Sequence, residues 1–268
     1  MSEATIRGLA LSIVVPAYNE SGGINATVEH LLQITARLGL DVEIIIVNDC
    51  SADDTGARID ALAEKHVEIS SIHHRRNRGF GAAVRTGALQ ARKPLVLTCP
   101  ADYPFTEEDF HVYLSLSRYA DIVIGYRRMR RLRLPLYHRI ISSTYHALIN
   151  LTFSLNFFDV NWIHMYRREP MYDWLGASDG VFFLAETLIR AQRRNTKIVG
   201  VDVGFIDRET GTATGIRPRT ILTTIKDVQG AFFHGLSDVD WQKPEDRARI
   251  DALDDVIASA PQSRMGDD

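Results

Sequence analysis

The sequence predicts an α/β fold: a mainly parallel, Rossmann-like sheet flanked by helices, in a single catalytic domain. Three observations point there. Short apolar runs rich in Val and Ile alternate along the chain with stretches whose apolar residues recur at helical spacing, the signature of strand–helix–strand units. The chain has 268 residues, 45% of them hydrophobic, enough to bury a substantial core. The polar loops after the first four strand runs begin at Pro16, Asn48, His73 and Cys99, and in parallel sheets such loops meet beyond the carboxyl ends of the strands.

The elements follow in order. Leu11 to Pro16 reads as a buried strand, and Ile24, Val28, Leu31, Leu32 and Leu38 then mark a helix over 24–38. Val42 to Val47 repeats the strand signal, and Ser51-Ala52-Asp53-Asp54 offers capping oxygens before a helix carrying Ile59 and Leu62. Val67–Ile72 is the third strand, followed by a loop ending at Gly79 and a helix through Ala91. Leu95 to Thr98 is the fourth, Thr106-Glu107-Glu108-Asp109 resembles a helix start, and Asp121 to Gly125 is the fifth. From 136 to 158 the pattern is an amphipathic helix with Ile140, Ile141, Tyr145, Leu148, Ile149 and Leu155 near one stripe. A helix around 181–193, a strand around 197–206, a Gly/Thr-rich loop at 209–216 and a helix around 219–233 complete the domain, taken as residues 1–235. Residues 236–268 read as an acidic, partly disordered extension with a short helix near 245–258.

Composition narrows the function classes. A formal charge of -3 argues against a nucleic-acid binder, although Arg127 to Arg133 is a strongly basic segment. Cys50 and Cys99 have no metal or disulfide spacing and suit a reducing compartment. His73, His74, His138, His146 and His164 show no tight metal spacing either. The N-terminal residues lack a signal-peptide pattern, and the apolar stretch Ile140–Phe158 is interrupted by Ser, Thr, His and Asn, too polar for a lone helix in hydrocarbon. The expected location is cytoplasmic, with peripheral contact at the inner face of the membrane.

Four loops carry candidate chemistry. Pro16-Ala17-Tyr18-Asn19-Glu20 brings an aromatic ring, an amide and a carboxylate suited to stacking on and hydrogen-bonding a nucleobase. In Asn48-Asp49-Cys50-Ser51-Ala52-Asp53, Asp49 is placed to accept a base N–H or a ribose hydroxyl, while Ser51 and Asp53 have the alternative of capping a helix. Asn77-Arg78-Gly79-Phe80-Gly81 combines small residues with a helix N-terminus, which favours close backbone approach to an anion; its glycines do not fit the dinucleotide fingerprint, which disfavours an oxidoreductase. In Pro100-Ala101-Asp102, the Asp102 carboxylate suits Mg²⁺ or Mn²⁺, which commonly need only one or two protein carboxylates beside diphosphate oxygens, and the alternative is a surface turn.

The segments VVPAYNE, VNDCSADDT, NRGFGAAVRTG and PAD, in this order, resemble family 2 glycosyltransferases. Asp159-Val160-Asn161-Trp162-Ile163-His164-Met165-Tyr166-Arg167-Arg168, Phe183-Leu184-Ala185-Glu186-Thr187-Leu188 and Asp207-Arg208-Glu209-Thr210-Gly211-Thr212 are similar to the polyprenyl-phosphate mannose or glucose synthase branch. The resemblance implies a GT-A fold, a GDP- or UDP-hexose donor, Mg²⁺ or Mn²⁺, and inverting transfer to a polyprenyl phosphate. It implies nucleotide binding by Pro16, Tyr18, Glu20 and Asp49, joined by Asn77, Gly79, Ala101 and Asp102, with Asp102 matching the second acid of an Asp-x-Asp motif. Pro100 stands in place of the first acid, and Ile163 or His164 in place of the glycine of an Asp-x-x-x-Gly-Phe segment.

Asp102, Arg208 and Glu186 are the catalytic candidates. Arg208 and the 127–133 arginines suit phosphate oxygens, since guanidinium forks match them. A phosphate acceptor is already anionic, whereas a hydroxyl acceptor needs a base, for which Glu186 is the leading carboxylate; its other reading is a hydrogen-bonded structural acid. A nucleotide-sugar-binding protein without turnover is the competing class, motivated by Pro100 and Pro104.

Overall fold

The computed structural model of the chain describes residues 6–102, 105–126, 136–203 and 218–233, and short stretches at 235–236, 239–243, 245–246 and 256–259. The elements in chain order are β1 (Ala10–Ala17), α1 (Ile24–Arg37), β2 (Asp41–Asn48), α2 (Thr55–Lys65), β3 (Ile69–His74), α3 (Phe80–Gln90), β4 (Leu95–Thr98), α4 (Glu107–Leu116) and β5 (Ile122–Tyr126). They continue with α5 (Leu136–Phe153), β6 (His164–Arg167), α6 (Arg168–Trp174), α7 (Phe182–Arg193), β7 (Ile198–Asp202), α8 (Pro218–Phe233) and β8 (Val256–Ser259).

The strands form one sheet in the order β7-β5-β6-β4-β1-β2-β3-β8. β4, β1, β2 and β3 run parallel side by side, which is the predicted unit, and β5 pairs parallel with β7. β6 runs antiparallel between β4 and β5, and β8 antiparallel along β3, so the sheet is mixed. Successive side chains of a strand face opposite sides. Ile13, Val15, Ile44 and Ile46 accordingly enter one core layer, and Val14, Ile45 and Val47 the other. Both faces are covered by helices, hence the nearly continuous apolar strand runs.

The third helix shows why its sequence is so small-sided. A Cβ at Gly87 would lie 2.4 Å from Val14 Cγ1, and one at Gly81 would lie 2.5 Å from both Phe183 Cβ and the Ser178 carbonyl oxygen. α3 is therefore pressed between the central strand and the start of α7. Gly87→Ala is expected to lower stability: overpacking costs about 1–3 kcal/mol, against about 1 kcal/mol regained from helix propensity. Val14 is fully buried on a central strand and has little room to yield, so the net loss should be about 2 kcal/mol. A urea midpoint at or above that of the parent chain would contradict this packing account.

Several expectations are refined. β3 begins at Ile69 rather than Val67, which is 93% exposed. β7 stops at Asp202, and 204–206 lie outside the described residues. β6 and α6 occupy a stretch to which the sequence pattern assigns no element. The helix expected over 136–158 ends at Phe153, and its stripe divides: Ile149 and Leu155 are buried, Tyr145 is half-buried, and Ile140 and Leu148 are exposed, as is Leu151 outside the stripe. Beyond residue 235 the chain joins the core, with Val239 and Trp241 buried and the Trp241 indole donating to the Leu175 carbonyl at 2.8 Å. The helix expected near 245–258 is a strand at its end, where β8 adds to the sheet edge. The predicted start of α4 is a full capping box, Thr106 with Asp109.

Candidate active site

Because β4, β1, β2 and β3 are parallel neighbours, their following loops emerge at one edge, with Ala17 beside Asn48 and Asn48 beside His73. The first two loops are laced together. Asn19 adopts a left-handed backbone (φ 57°); its N–H donates to Ser51 Oγ at 3.0 Å, and its side-chain oxygen accepts from the Ala52 N–H at 2.8 Å. The Glu20 N–H donates to Thr55 Oγ1 and the Ser21 N–H to Asp53 Oδ2. Partial burial of Asp53 works against its ionisation, yet donors from Thr55 and Ser21 outweigh it and bring its pKa down to about 2. Ser51 and Asp53 thus bind loop to loop, while Asp54 caps α2 without a side-chain bond. Tyr18 is left 40% exposed at the rim, beside half-buried Pro16.

Asp49 is only 3% exposed, and its carboxylate faces inward. Oδ1 accepts from the Arg78 N–H at 2.9 Å and from His74 Nδ1 at 2.7 Å, and Oδ2 accepts from the Gly79 N–H at 2.7 Å. His74 Nε2 meets the Thr86 hydroxyl at 3.0 Å, tying the cluster to α3. Asn77 Nδ2 donates to the Asp49 carbonyl. The anion at the N-terminus of α3 is therefore Asp49 itself, and Gly79 (φ 102°) sits where a Cβ would lie 2.6 Å from the Asp179 carbonyl oxygen. The close backbone approach expected for a ligand is made to the protein's own 177–180 turn. Asp49, Asn77 and Gly79 are brought together as a brace that joins the second loop to the third.

The fourth loop is fastened to α1: Thr27 Oγ1 donates to the Ala101 carbonyl at 2.6 Å, and the His30 ring lies 3.1 Å from the Phe105 carbonyl. Asp102 is half-buried on this loop, at the same sheet edge as Asp49 but across β1. Burial pushes the Cys99 thiol up, and the negative charges of Asp102 and Asp109 push it further, which marks Asp102 as a source of negative potential there. Among the described residues no three His, Cys, Asp or Glu side chains group as metal ligands. One carboxylate at this edge fits a cation that takes its other ligands from diphosphate and water.

Glu186 is 2% exposed, and both its oxygens are engaged. Oε2 accepts from the Ala177 and Ser178 N–H groups at 3.0 and 2.7 Å, and Oε1 from Arg190 Nε at 2.8 Å and Nη2 at 2.7 Å. From the other side buried Arg85 donates to the carbonyls of Ala177 and Ser178 and pairs with Asp179. The 177–180 turn is thus held between α3 and α7 by two opposite charges. Sequence reasoning missed Arg85, Asp179 and His74; an Arg amid small residues and a Ser-Asp-Gly turn before an apolar helix were the available signals. Arg208, and the 127–133 arginines, lie outside the described residues.

The Asp-x-x-x-Gly-Phe-like segment forms the entry to β6. Asp159 is buried, pairs with His146 of α5 at 3.1 Å and accepts the Asn161 N–H, so it anchors α5 to the sheet. His164 is fully buried and 2.9 Å from the Tyr166 hydroxyl, and burial lowers its pKa to about 3 against the opposing pull of Asp159. Its folded pKa is depressed, so the unfolded chain binds a proton that the native chain refuses between pH 6.5 and about 3, and stability falls as pH falls through that window. From about pH 7 to pH 5 the parent should lose about 2 kcal/mol relative to His164→Phe in urea unfolding. Parallel pH profiles would contradict this.

The sequence model described as Glycosyl transferase family 2 matches residues 12–175. An undecaprenyl-phosphate 4-deoxy-4-formamido-L-arabinose transferase of Pectobacterium carotovorum is 26% identical over 208 residues, covering 76% of this chain and 62% of its own. A dolichyl-phosphate beta-glucosyltransferase of Trichomonas vaginalis is 29% identical over 212 residues (72% and 62% covered), and an undecaprenyl-phosphate mannosyltransferase of Micrococcus luteus 25% identical over 209 (74% and 84%). The chain thus spans less than two thirds of the length of the first two. Glucosyl-3-phosphoglycerate synthase from Mycobacterium tuberculosis, solved with uridine diphosphate, superposes with a TM-score of 0.63 at 18% identity, covering 89% of this chain and 86% of its own, a likeness of fold alone. With the family model spanning more than half of its length, the chain belongs to glycosyl transferase family 2.

Proposed function

We propose that the protein transfers a hexose from a GDP- or UDP-sugar to a polyprenyl phosphate, with inversion at the anomeric carbon. The observation that carries this is the convergence of four loops at one sheet edge, in a chain whose relatives are named for transfer to undecaprenyl and dolichyl phosphate. A phosphate oxygen of the acceptor attacks the anomeric carbon, the bond from that carbon to the donor diphosphate breaks, and the nucleoside diphosphate departs. Tyr18 and Pro16 receive the base, Glu20 lies on the same loop, and Ala101 and Asp102 face the diphosphate. Asp102 would hold a Mg²⁺ or Mn²⁺ ion, which would supply neutralising charge to the diphosphate. Arg208 is the proposed cation for leaving or acceptor phosphate.

The state of Glu186 favours a phosphate acceptor over a hydroxyl. With four donors on its two oxygens, it serves as a positioning residue for the 177–180 turn. Glu186→Gln should therefore lower stability by about 3–5 kcal/mol, the cost of breaking a buried pair, while the pH profile of turnover keeps its shape. Loss of a limb from that profile would restore the base.

The exposed Ile140, Leu148 and Leu151 of α5 support a peripheral membrane contact, proposed on the cytoplasmic side where the donor is expected; among the described residues no helix is long and apolar enough to cross a bilayer. The decisive assay incubates a panel of nucleotide sugars with polyprenyl phosphate, with and without Mg²⁺ or Mn²⁺. Metal-dependent formation of a lipid-phosphate sugar is expected. Donor binding without product from any acceptor would instead favour a sugar-nucleotide-binding protein.

A further inference from the structure

At the opposite edge of the sheet, where β1 and β4 begin and β6 ends, lies a cavity of about 410 Å³. Its walls carry Arg92, Arg118, Arg167 and Arg168 against the single carboxylate Glu169, with Leu95 on the apolar side. These arginines come from three separate connections, and the register of β4 against β6 (Leu95 beside Arg167) draws them together.

Their charges are unequally answered. Arg92 pairs with the buried Glu43 at 2.8 Å. Arg167 is held rigid by carbonyls, donating to Ala120, Ser117 and Arg118, while its nearest carboxylate, Asp121, stands at 3.8 Å. Arg168 is fixed by its N–H on the Pro94 carbonyl; its Nη1 lies 3.5 Å from the Tyr172 hydroxyl, and its Nε is buried without a hydrogen-bond partner. The Arg168 Nε is enclosed by protein, so what the cavity wall offers is the immobilised Arg167 guanidinium beside the outer part of the Arg168 group. Planar guanidinium forks of this kind match phosphate oxygens.

We infer that this cavity binds a phosphate group, at a site separate from the donor edge. The inference rests on the cavity alone and holds whichever sugar or acceptor the active site takes. The phosphate belongs either to a small soluble molecule or to a lipid headgroup, which share the recognising chemistry.

The test titrates inorganic pyrophosphate into the full chain by calorimetry without divalent cation, and separately floats the chain on phosphatidylglycerol and phosphatidylcholine vesicles. In the Arg118→Ala/Arg168→Ala double variant, pyrophosphate binding or selective binding to the anionic vesicles should weaken by about tenfold or more. Loss in the first arm assigns a soluble phosphate, and loss in the second a headgroup. Equal binding by parent and variant in both arms, or no binding in either, overturns the site. If the double variant does not fold, Glu169→Gln provides the second measure, since removing the lining carboxylate should tighten binding about two- to threefold, and unchanged affinity overturns the proposal.

Discussion

Asp102→Asn is expected to lower turnover by about 10²–10³-fold while leaving the fold intact, the scale seen when one preorganised group facing transition-state charge is removed. Two features set the size of the effect. Pro100 stands where the family motif has its first acid, so Asp102 is the remaining carboxylate of that motif. No cluster of three ligating side chains exists among the described residues to compensate. Metal dependence should weaken together with turnover, because the same carboxylate is proposed to hold the cation. Turnover within about threefold of the parent, at saturating donor and acceptor, would remove Asp102 from the mechanism.

Asp49→Ala should lower stability by about 3–5 kcal/mol. The substitution strands the N–H groups of Arg78 and Gly79 and the His74 ring donor in a site where Asp49 is 3% exposed. Donor affinity should fall as well, because the third loop, which carries Asn77, loses its anchor on the second. Asp49→Asn should recover part of the stability, since one oxygen remains to accept while the new amide hydrogens meet donors. A urea midpoint unchanged in both variants would contradict the brace. A loss of nucleotide binding with stability intact would return Asp49 to direct contact with the base or ribose.

The parallel core was legible because strands buried on both faces are written as unbroken Val/Ile runs, and β1 and β2 fall where those runs fall. β6 was not, because its four residues His164–Arg167 are half polar and match no strand period. Its burial comes from lying between β4 and β5, which only the assembled sheet reveals. The four loops were legible by their position after strands. The partners within them were not: Asp49 meets donors 25 to 30 residues away, and Arg85 meets carbonyls more than 90 residues away. The glycines of the third loop show the same limit. Small residues announce a close approach without saying to what, and here Gly79 and Gly81 approach the 177–180 turn.

A crystal structure of the chain with a nucleoside diphosphate and Mn²⁺ tests the central claim most directly. The account places the diphosphate beyond the ends of β1 and β4, within reach of the Asp102 carboxylate, with the base against Tyr18. A nucleotide seated in the arginine-lined cavity at the other edge, or anywhere out of reach of Asp102, would contradict it.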